Sequence, residues 1–257
     1  DVALLRSSRA TENQAIKNKY AFIIFSYLNR STSSLKAGTY AIPPRTSIYR
    51  LHHILEKGLQ RLTKITIPEG FNIYQIANVL LENKIISSRD EFIFYCKDSN
   101  WVSALTKENI SSIEGFLYPE TYYFAENTKV KNVITTMFDL FQQKTKNIFP
   151  PNYPLTKMQI ITLASIIEKE TSNEKEKRTI SSVMHNRLNI GMPLQSDPTT
   201  IYGMYERYDG NIRKQDLREV NNYNTYTLPR LPIGPIANPS LSSIYAAIDP
   251  EKTDFLY

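Results

Sequence analysis

Eight consecutive residues, Ile160-Ile161-Thr162-Leu163-Ala164-Ser165-Ile166-Ile167, carry no charge, glycine or proline and run straight into Glu168-Lys169-Glu170-Thr171. An amphipathic surface helix repeats its apolar residues every third or fourth place and keeps a polar face for water. An unbroken run has no such face. The pattern predicts a helix over 157–171 that the rest of the chain surrounds, delivering carboxylates at its end. At about 100° per residue, Glu170 lies over Leu163, Ile166 and Ile167, whereas Glu168, turned by about 200°, lies over Ile161, Ala164 and Ser165. An apolar setting disfavours an ionised carboxylate and raises its pKa. From a reference of about 4.3, roughly one glutamate in 500 is protonated at pH 7, and a pKa of about 6 makes that roughly one in ten, enough for a general acid. The alternative is that Glu170 simply opens the solvated charge run Glu168 to Arg178.

Other chemistries have little to work with. The chain of 257 residues has eight glycines, three histidines and one cysteine, and no two glycines are spaced G-x-G, so neither a dinucleotide fingerprint nor a P-loop can be drawn. No G-x-S-x-G elbow occurs. His52, His53 and His185 lack metal-ligand spacing and have only Cys96 to join them, so no metal and no cofactor is expected. Adjacent on one predicted helix, His52 and His53 point about 100° apart and read as surface residues. Lys and Arg total 31 against 25 Asp and Glu, a net charge of +6, but the excess is mixed with acids. That reads as a solvated surface and not as a nucleic-acid interface, while an anionic polymer or a membrane surface remains compatible. The longest apolar run, Tyr20 to Leu28, is nine residues and too short to span a bilayer. A start at Asp1 in place of Met is compatible with an upstream anchor or signal.

The first half carries a repeat. Ile42-Pro43-Pro44-Arg45-Thr46-Ser47-Ile48-Tyr49-Arg50-Leu51 aligns with Ile67-Pro68-Glu69-Gly70-Phe71-Asn72-Ile73-Tyr74-Gln75-Ile76 at an offset of 25 residues. Each copy reads as strand, proline turn and helix. The strands are Gly38 to Ile42 and Leu62 to Ile67; Ser47 and Asn72 are the N-caps, Asn72 with Gln75 has capping-box spacing, and Gly58 stops the first helix. Tyr49 and Tyr74 hold equivalent places, either packed at the helix starts or stacking on sugar rings. Further helices are expected over Arg89 to Cys96, Val130 to Ile148 and Lys177 to Leu188, the last with Ile180, Val183, Met184 and Leu188 on its core face and His185, Asn186 and Arg187 at its polar end. Residues 113–124 read as a loop entering a strand, and 192–200 as a loop followed by Tyr202, Tyr205, Tyr208, Tyr223 and Tyr226. An amide and an acid among many tyrosines suit a saccharide cleft, since polar groups take hydroxyls and rings take apolar sugar faces.

These blocks resemble the endolytic murein transglycosylases, the YceG-like family. The resemblance runs from Lys36-Ala37-Gly38-Thr39-Tyr40 onward and is carried by Ile67-Pro68-Glu69-Gly70, Glu114-Gly115-Phe116-Leu117-Tyr118-Pro119-Glu120-Thr121-Tyr122, Ala164 to Thr171, Asn186-Arg187-Leu188, Leu194-Gln195-Ser196-Asp197-Pro198-Thr199 with Tyr202-Gly203, and Tyr223-Asn224-Thr225-Tyr226. Arg230-Leu231-Pro232-Ile233-Gly234 departs from the family's G-L-P-P-G, and Ser240 replaces a common glycine. The resemblance implies an α+β chain: an N-terminal segment (1–35), a LysM-like β-α repeat unit that binds glycan (36–110) and a mixed α+β catalytic domain (111–257), short of the family's usual C-terminal strand and helix. It implies that Glu170 is catalytic in cleaving the bond from N-acetylmuramic acid to N-acetylglucosamine inside peptidoglycan strands. It further implies an inner-membrane anchor N-terminal to this chain, an extracytoplasmic catalytic domain, and work beside peptidoglycan synthases. Asn186, Gln195, Asp197, Tyr202 and Asn224 are the candidates for gripping sugar hydroxyls or orienting Glu170. A hydrolytic version of the same site would call on Glu114, Glu120 or Asp197, and a non-catalytic wall-binding scaffold would use the LysM-like unit alone.

Overall fold

The computed structural model describes residues 19–36, 38, 40, 42–43, 46–58 and 61–257. Among these the chain is α+β, rich in helix, with a single two-stranded sheet. In order the elements are α1 (Lys19–Leu28), α2 (Ile48–Lys57), β1 (Leu62–Thr66), α3 (Ile73–Glu82), α4 (Arg89–Lys97), α5 (Ser99–Thr106), β2 (Thr121–Ala125), α6 (Val130–Thr145), α7 (Lys157–Glu170), α8 (Lys177–Asn189), α9 (Asp197–Gly203), a 3-10 turn (Tyr205–Arg207), α10 (Lys214–Arg218) and α11 (Leu241–Ile248). β1 pairs with β2. No helix among the described residues is long and apolar enough to cross a membrane.

The chain divides into two compact units, residues 1–64 with 83–85 and 123–128, and the remainder. In the first, Phe22, Leu35, Leu51 and Leu55 form the core, with Tyr40, Ile42 and Ile48 against it. α2 begins as its sequence requires: the Ser47 hydroxyl accepts from the Arg50 N–H, and Gly58 ends the helix at φ +70°. A side chain at 58 would need that left-handed backbone as well as space held by Lys36. The expected strand Gly38 to Ile42 falls partly on Thr39 and Ala41, outside the described residues. His52 corrects the expectation of a surface histidine. It is buried, hydrogen-bonded to the Ser31 hydroxyl and edge-on to Phe25, because the α2 face carrying Leu51 and Leu55 is wide enough to take it inward. His53 is exposed.

The second unit is organised around α7. Every residue from Ile160 to Ile167 is buried, and α8, α9 and α11 pack on it, so the run without a water face is surrounded as its composition demands. Thr156 and Gln159 form a complete capping box at its start. Gly115 passes so close that an added Cβ would lie 2.5 Å from Pro235 Cγ and 2.8 Å from Ile161 Cγ2, at φ +86°. The second β-α copy is also capped as its spacing predicts: Asn72 N–H donates to Gln75 Oε1 and Gln75 N–H to Asn72 Oδ1. α8 differs in register from expectation. Its buried residues are Lys177, Ser181, Ser182 and Met184, while Ile180, Val183 and Leu188 are half-buried. The helix turns a polar face inward because Lys177 meets Glu168 and Ser182 bonds Thr253.

Candidate active site

α7 ends on two glutamates with opposite surroundings. Glu168 is the buried one: its side chain is 7% exposed, and its Oε2 accepts from the Ser240 N–H at 2.9 Å, from the Ser240 hydroxyl and from the Ser243 hydroxyl at 2.7 Å. Lys177 Nζ, itself buried, lies 3.5 Å from that oxygen and also donates to Glu174, Ser240 and Ser242 at 2.8–3.0 Å. The cluster fastens the last turn of α7 to the first turns of α8 and α11.

Glu170 is exposed, which overturns the expectation of an apolar setting. Leu163, Ile166 and Ile167 are one turn back and point into the core, and the helix ends at Glu170, so no following turn covers the carboxylate. What reaches it instead is the segment before α9. The hydroxyl of Ser196, a buried residue, donates to Glu170 Oε1. Among the described residues no hydrogen bond reaches Oε2.

The loop that supplies Ser196 is fixed from below. Gln195 sits at φ +54°, a left-handed conformation unusual for a residue with a side chain, with its N–H on the Thr225 carbonyl at 3.1 Å and its side chain exposed. Ser196 N–H donates to the Thr225 hydroxyl at 3.0 Å, and Thr199 and Thr225 hydroxyls meet at 2.8 Å. Asn224 is fully buried; its amide donates to the Asp216, Leu217 and Glu219 carbonyls, and its oxygen accepts from the Thr200 hydroxyl and the Tyr226 N–H. Its polar atoms are thus spent inside the protein, holding 216–226 to α9. Asp197 opens α9 and accepts from the Tyr226 hydroxyl at 2.6 Å. Burial, the Asp197 bond and the charges of Asp197 and Glu170 together push that hydroxyl up to about 12, against a weaker pull from Arg187. Tyr226 therefore feels the charge of both carboxylates and bonds directly to Asp197.

The other candidates lie apart. Asn186 donates to the Thr253 and Phe255 carbonyls at 2.7 and 3.0 Å, and Arg187 to those of Leu256 and Leu194, so the end of α8 anchors residues 253–256. Tyr202 is buried on α9, its hydroxyl donating to Glu114. It lines a cleft of about 390 Å³ with Asn72, Lys169, Pro198, Tyr205 and Tyr208. Lys169 and Pro198 are the sequence neighbours of Glu170 and Asp197, but neither carboxylate lines the cleft. Tyr74 is buried and stacks on Tyr205 at 4.3 Å, whereas Tyr49, its repeat equivalent, is exposed. The α9 helix itself was expected as loop. The sequence singled out neither Ser196 nor the bond of Tyr226, one of the cleft tyrosines, to Asp197, although both residues stand inside blocks that carry the family resemblance. Their signal was position within a motif, not residue type.

The whole sequence from residue 7 to 257 matches the YceG-like family. A relative in Bacillus subtilis is 31% identical over 96% of this chain and 72% of its own length, and carries the name endolytic murein transglycosylase. The chain belongs to the YceG-like family. A Streptococcus pneumoniae relative with the same name is 30% identical, and the YceG-like chain spans about half of it, 48%. The crystal structure of a YceG-like protein from Listeria monocytogenes superposes with a TM-score of 0.66 at 28% identity, over all of this YceG-like chain and 90% of that one.

Proposed function

We propose that the chain is an endolytic murein transglycosylase, cutting peptidoglycan glycan strands between N-acetylmuramic acid and N-acetylglucosamine. The observation that carries the reading is a solvent-facing carboxylate, Glu170, with one oxygen held by a buried serine and the other open, one residue along the chain from Lys169, which lines a tyrosine-rich cleft. With Oε1 occupied, the transferable proton resides on Oε2. Glu170 gives that proton to the glycosidic oxygen as its bond to the muramoyl C1 breaks. The same carboxylate then takes the proton of the muramoyl C6 hydroxyl as that oxygen bonds to C1, leaving a 1,6-anhydro end and the enzyme in its starting state. No water enters, and the nucleophile is already part of the substrate, so one carboxyl serves where hydrolytic glycosidases normally use two. Names borne by relatives at about this similarity support the activity.

Around that reaction, Gln195 and Asp197 are placed to meet sugar hydroxyls beside Glu170, and the rings of Tyr205 and Tyr208 to meet sugar faces in the cleft. Tyr202 forms part of the cleft wall, while Asn224 holds the 216–226 segment and Asn186 holds residues 253–255. The helices capped at Ser47 and Asn72, as the repeat expects, support residues 36–110 as a LysM-like glycan-binding segment ahead of a catalytic region, 111–257. An N-terminal membrane anchor, extracytoplasmic placement and association with peptidoglycan synthases complete the reading, because a strand-cutting enzyme acts where strands are made.

Mass spectrometry of glycan strands digested by the purified chain and by Glu170→Gln tests it. Anhydro ends from the first, and a loss of about 10²–10⁴-fold in the second, are expected. Reducing ends instead of anhydro ends would assign the site to a hydrolase, for which Asp197 is the nearest helper now that Glu114 is fully buried and Glu120 pairs with Lys144 at 4.0 Å. Undiminished lysis by Glu170→Gln leaves only a wall-binding scaffold.

A further inference from the structure

The strand-cutting reaction leaves one buried acid unused. Glu114 is 1% exposed and is enclosed by three elements far apart in sequence. Its Oε2 accepts from the Ile73 N–H at the start of α3 at 3.0 Å and from the Tyr202 hydroxyl on α9 at 2.9 Å. Its Oε1 accepts from the Asn238 amide at 3.0 Å. Asn238 in turn donates to the Phe71 carbonyl and accepts from the Leu117 N–H, so the carboxylate is the common anchor of α3, α9 and the strand of chain before α11.

All three bonds suit an ionised acceptor. When a proton is added, one carboxyl oxygen must donate. The Ile73 N–H and the Asn238 amide nitrogen cannot accept, whereas a tyrosine hydroxyl can do either. Protonation therefore reverses the Tyr202 hydroxyl and leaves its hydrogen to find another direction. Tyr202 is a wall of the cleft that Tyr205, Tyr208 and Lys169 also line, and it packs near Tyr74 and Tyr223, with ring centroids 6.2 and 4.8 Å away.

We infer that Glu114 is a positioning residue whose proton sets the Tyr202 hydroxyl and with it the aromatic wall of the glycan cleft, binding glycan best in the ionised state. The inference rests on the glycan reading of that cleft. Burial pushes the Glu114 carboxyl up to about 7, against the hydrogen bonds from Ile73, Tyr202 and Gly115 and the charge of Lys97. The groups facing it are Cys96 and Lys97 on α4, Tyr202 on α9, and Tyr205 and Tyr223 beyond it. Burial raises Cys96 and Tyr202 well above their ordinary values and Tyr223 to about 12. Of these acids, Glu114 is the one that changes charge near neutrality.

The test is calorimetric binding of soluble glycan strands to the Glu170→Gln form of the full chain. Between about pH 5.5 and about 8.5, affinity should rise about fivefold around neutrality, the equivalent of one ordinary hydrogen bond. Adding Glu114→Gln should flatten the curve, and Glu114→Asp should keep a slope. Tyr202→Phe removes a bond to the ionised form, so any remaining transition should move to higher pH. A purely structural role for Glu114 would lower affinity equally at every pH. Binding that is tight but flat across the range, or a slope that survives Glu114→Gln, overturns the inference and leaves the glycan reading intact. Should Glu114→Gln not fold, the aspartate and phenylalanine variants decide the matter by the same criteria. No binding at any pH, together with no strand cleavage by the unmodified chain, sinks both.

Discussion

In the proposed reaction, Ser196 decides which oxygen of Glu170 does chemistry. Its hydroxyl occupies Oε1, so Ser196→Ala should let the carboxyl rotate and lower kcat by about 10- to 100-fold, the worth of one hydrogen bond to a charged group, with KM little changed. Steady-state rates on glycan strands would show it, and a rise in KM alone would assign Ser196 to substrate binding instead. Glu114 makes a second prediction at this scale, on stability. Burial raises its folded-state pKa from 4.5 to about 7, so between those values the folded chain keeps a proton that the unfolded chain has released. Stability contributed by Glu114 is therefore full below pH 4.5 and lost as pH rises to about 7, with a slope of at most about 1.4 kcal/mol per pH unit. Urea midpoints of the unmodified chain minus those of Glu114→Gln isolate that slope, and a difference that grows with pH would contradict it. Glu170 was legible from its motif, but its environment was not. A helical-face argument sees only the turn before a residue, and the group that meets Glu170 comes from a different segment of chain. Glu114, followed by glycine, reads as a turn residue. Its burial depends on donors 41, 88 and 124 residues away.

Lys177 and Glu168 tie three helices together at the point where α7 delivers Glu170. Removing the cation alone leaves a buried carboxylate without a counter-charge, so Lys177→Met should cost about 3–5 kcal/mol in chemical denaturation. Changing Glu168→Leu in the same chain should return much of that loss, because the unpaired charge goes with it; a double variant as weak as the single one would show that the serines, not the ion pair, bear the joint. Elements with local signals were legible in sequence: Ser47, Gly58 and Asn72 each mark a boundary that the structure keeps. α9 was not. It is seven residues long, carries Pro198 in its first turn, where proline is tolerated, and its N-cap Ser196 makes no side-chain cap because its hydroxyl is committed to Glu170. α8 misled for the opposite reason. Its apolar residues suggested one face, but buried Lys177 pairs with Glu168, Ser182 bonds Thr253, and these contacts draw another face inward.

Sequence similarity and packing divide the molecule differently. The 25-residue repeat groups residues 36–110, whereas the compact units separate at residue 64, and α3 from the second copy has its first N–H satisfied by Glu114 within the larger unit. A repeat records how copies resemble each other and says nothing of which core each one joins. The described core of the smaller unit rests on Phe22, Leu35, Leu51 and Leu55, while α7 alone buries eight consecutive residues in the larger. Local opening follows buried apolar contact, so amides of α2 should exchange with solvent well before those of α7. Phe22→Ala sharpens the comparison. Phe22 is fully buried, and emptying its site should cost about 3–5 kcal/mol. If the units open separately, hydrogen exchange after that substitution accelerates across α1 and α2 while α7 keeps its protection, and strand cleavage by Glu170 survives with it. An equal loss of protection in α7 would instead make the chain one cooperative block, in which a cavity far from Glu170 in sequence lowers activity as much as stability.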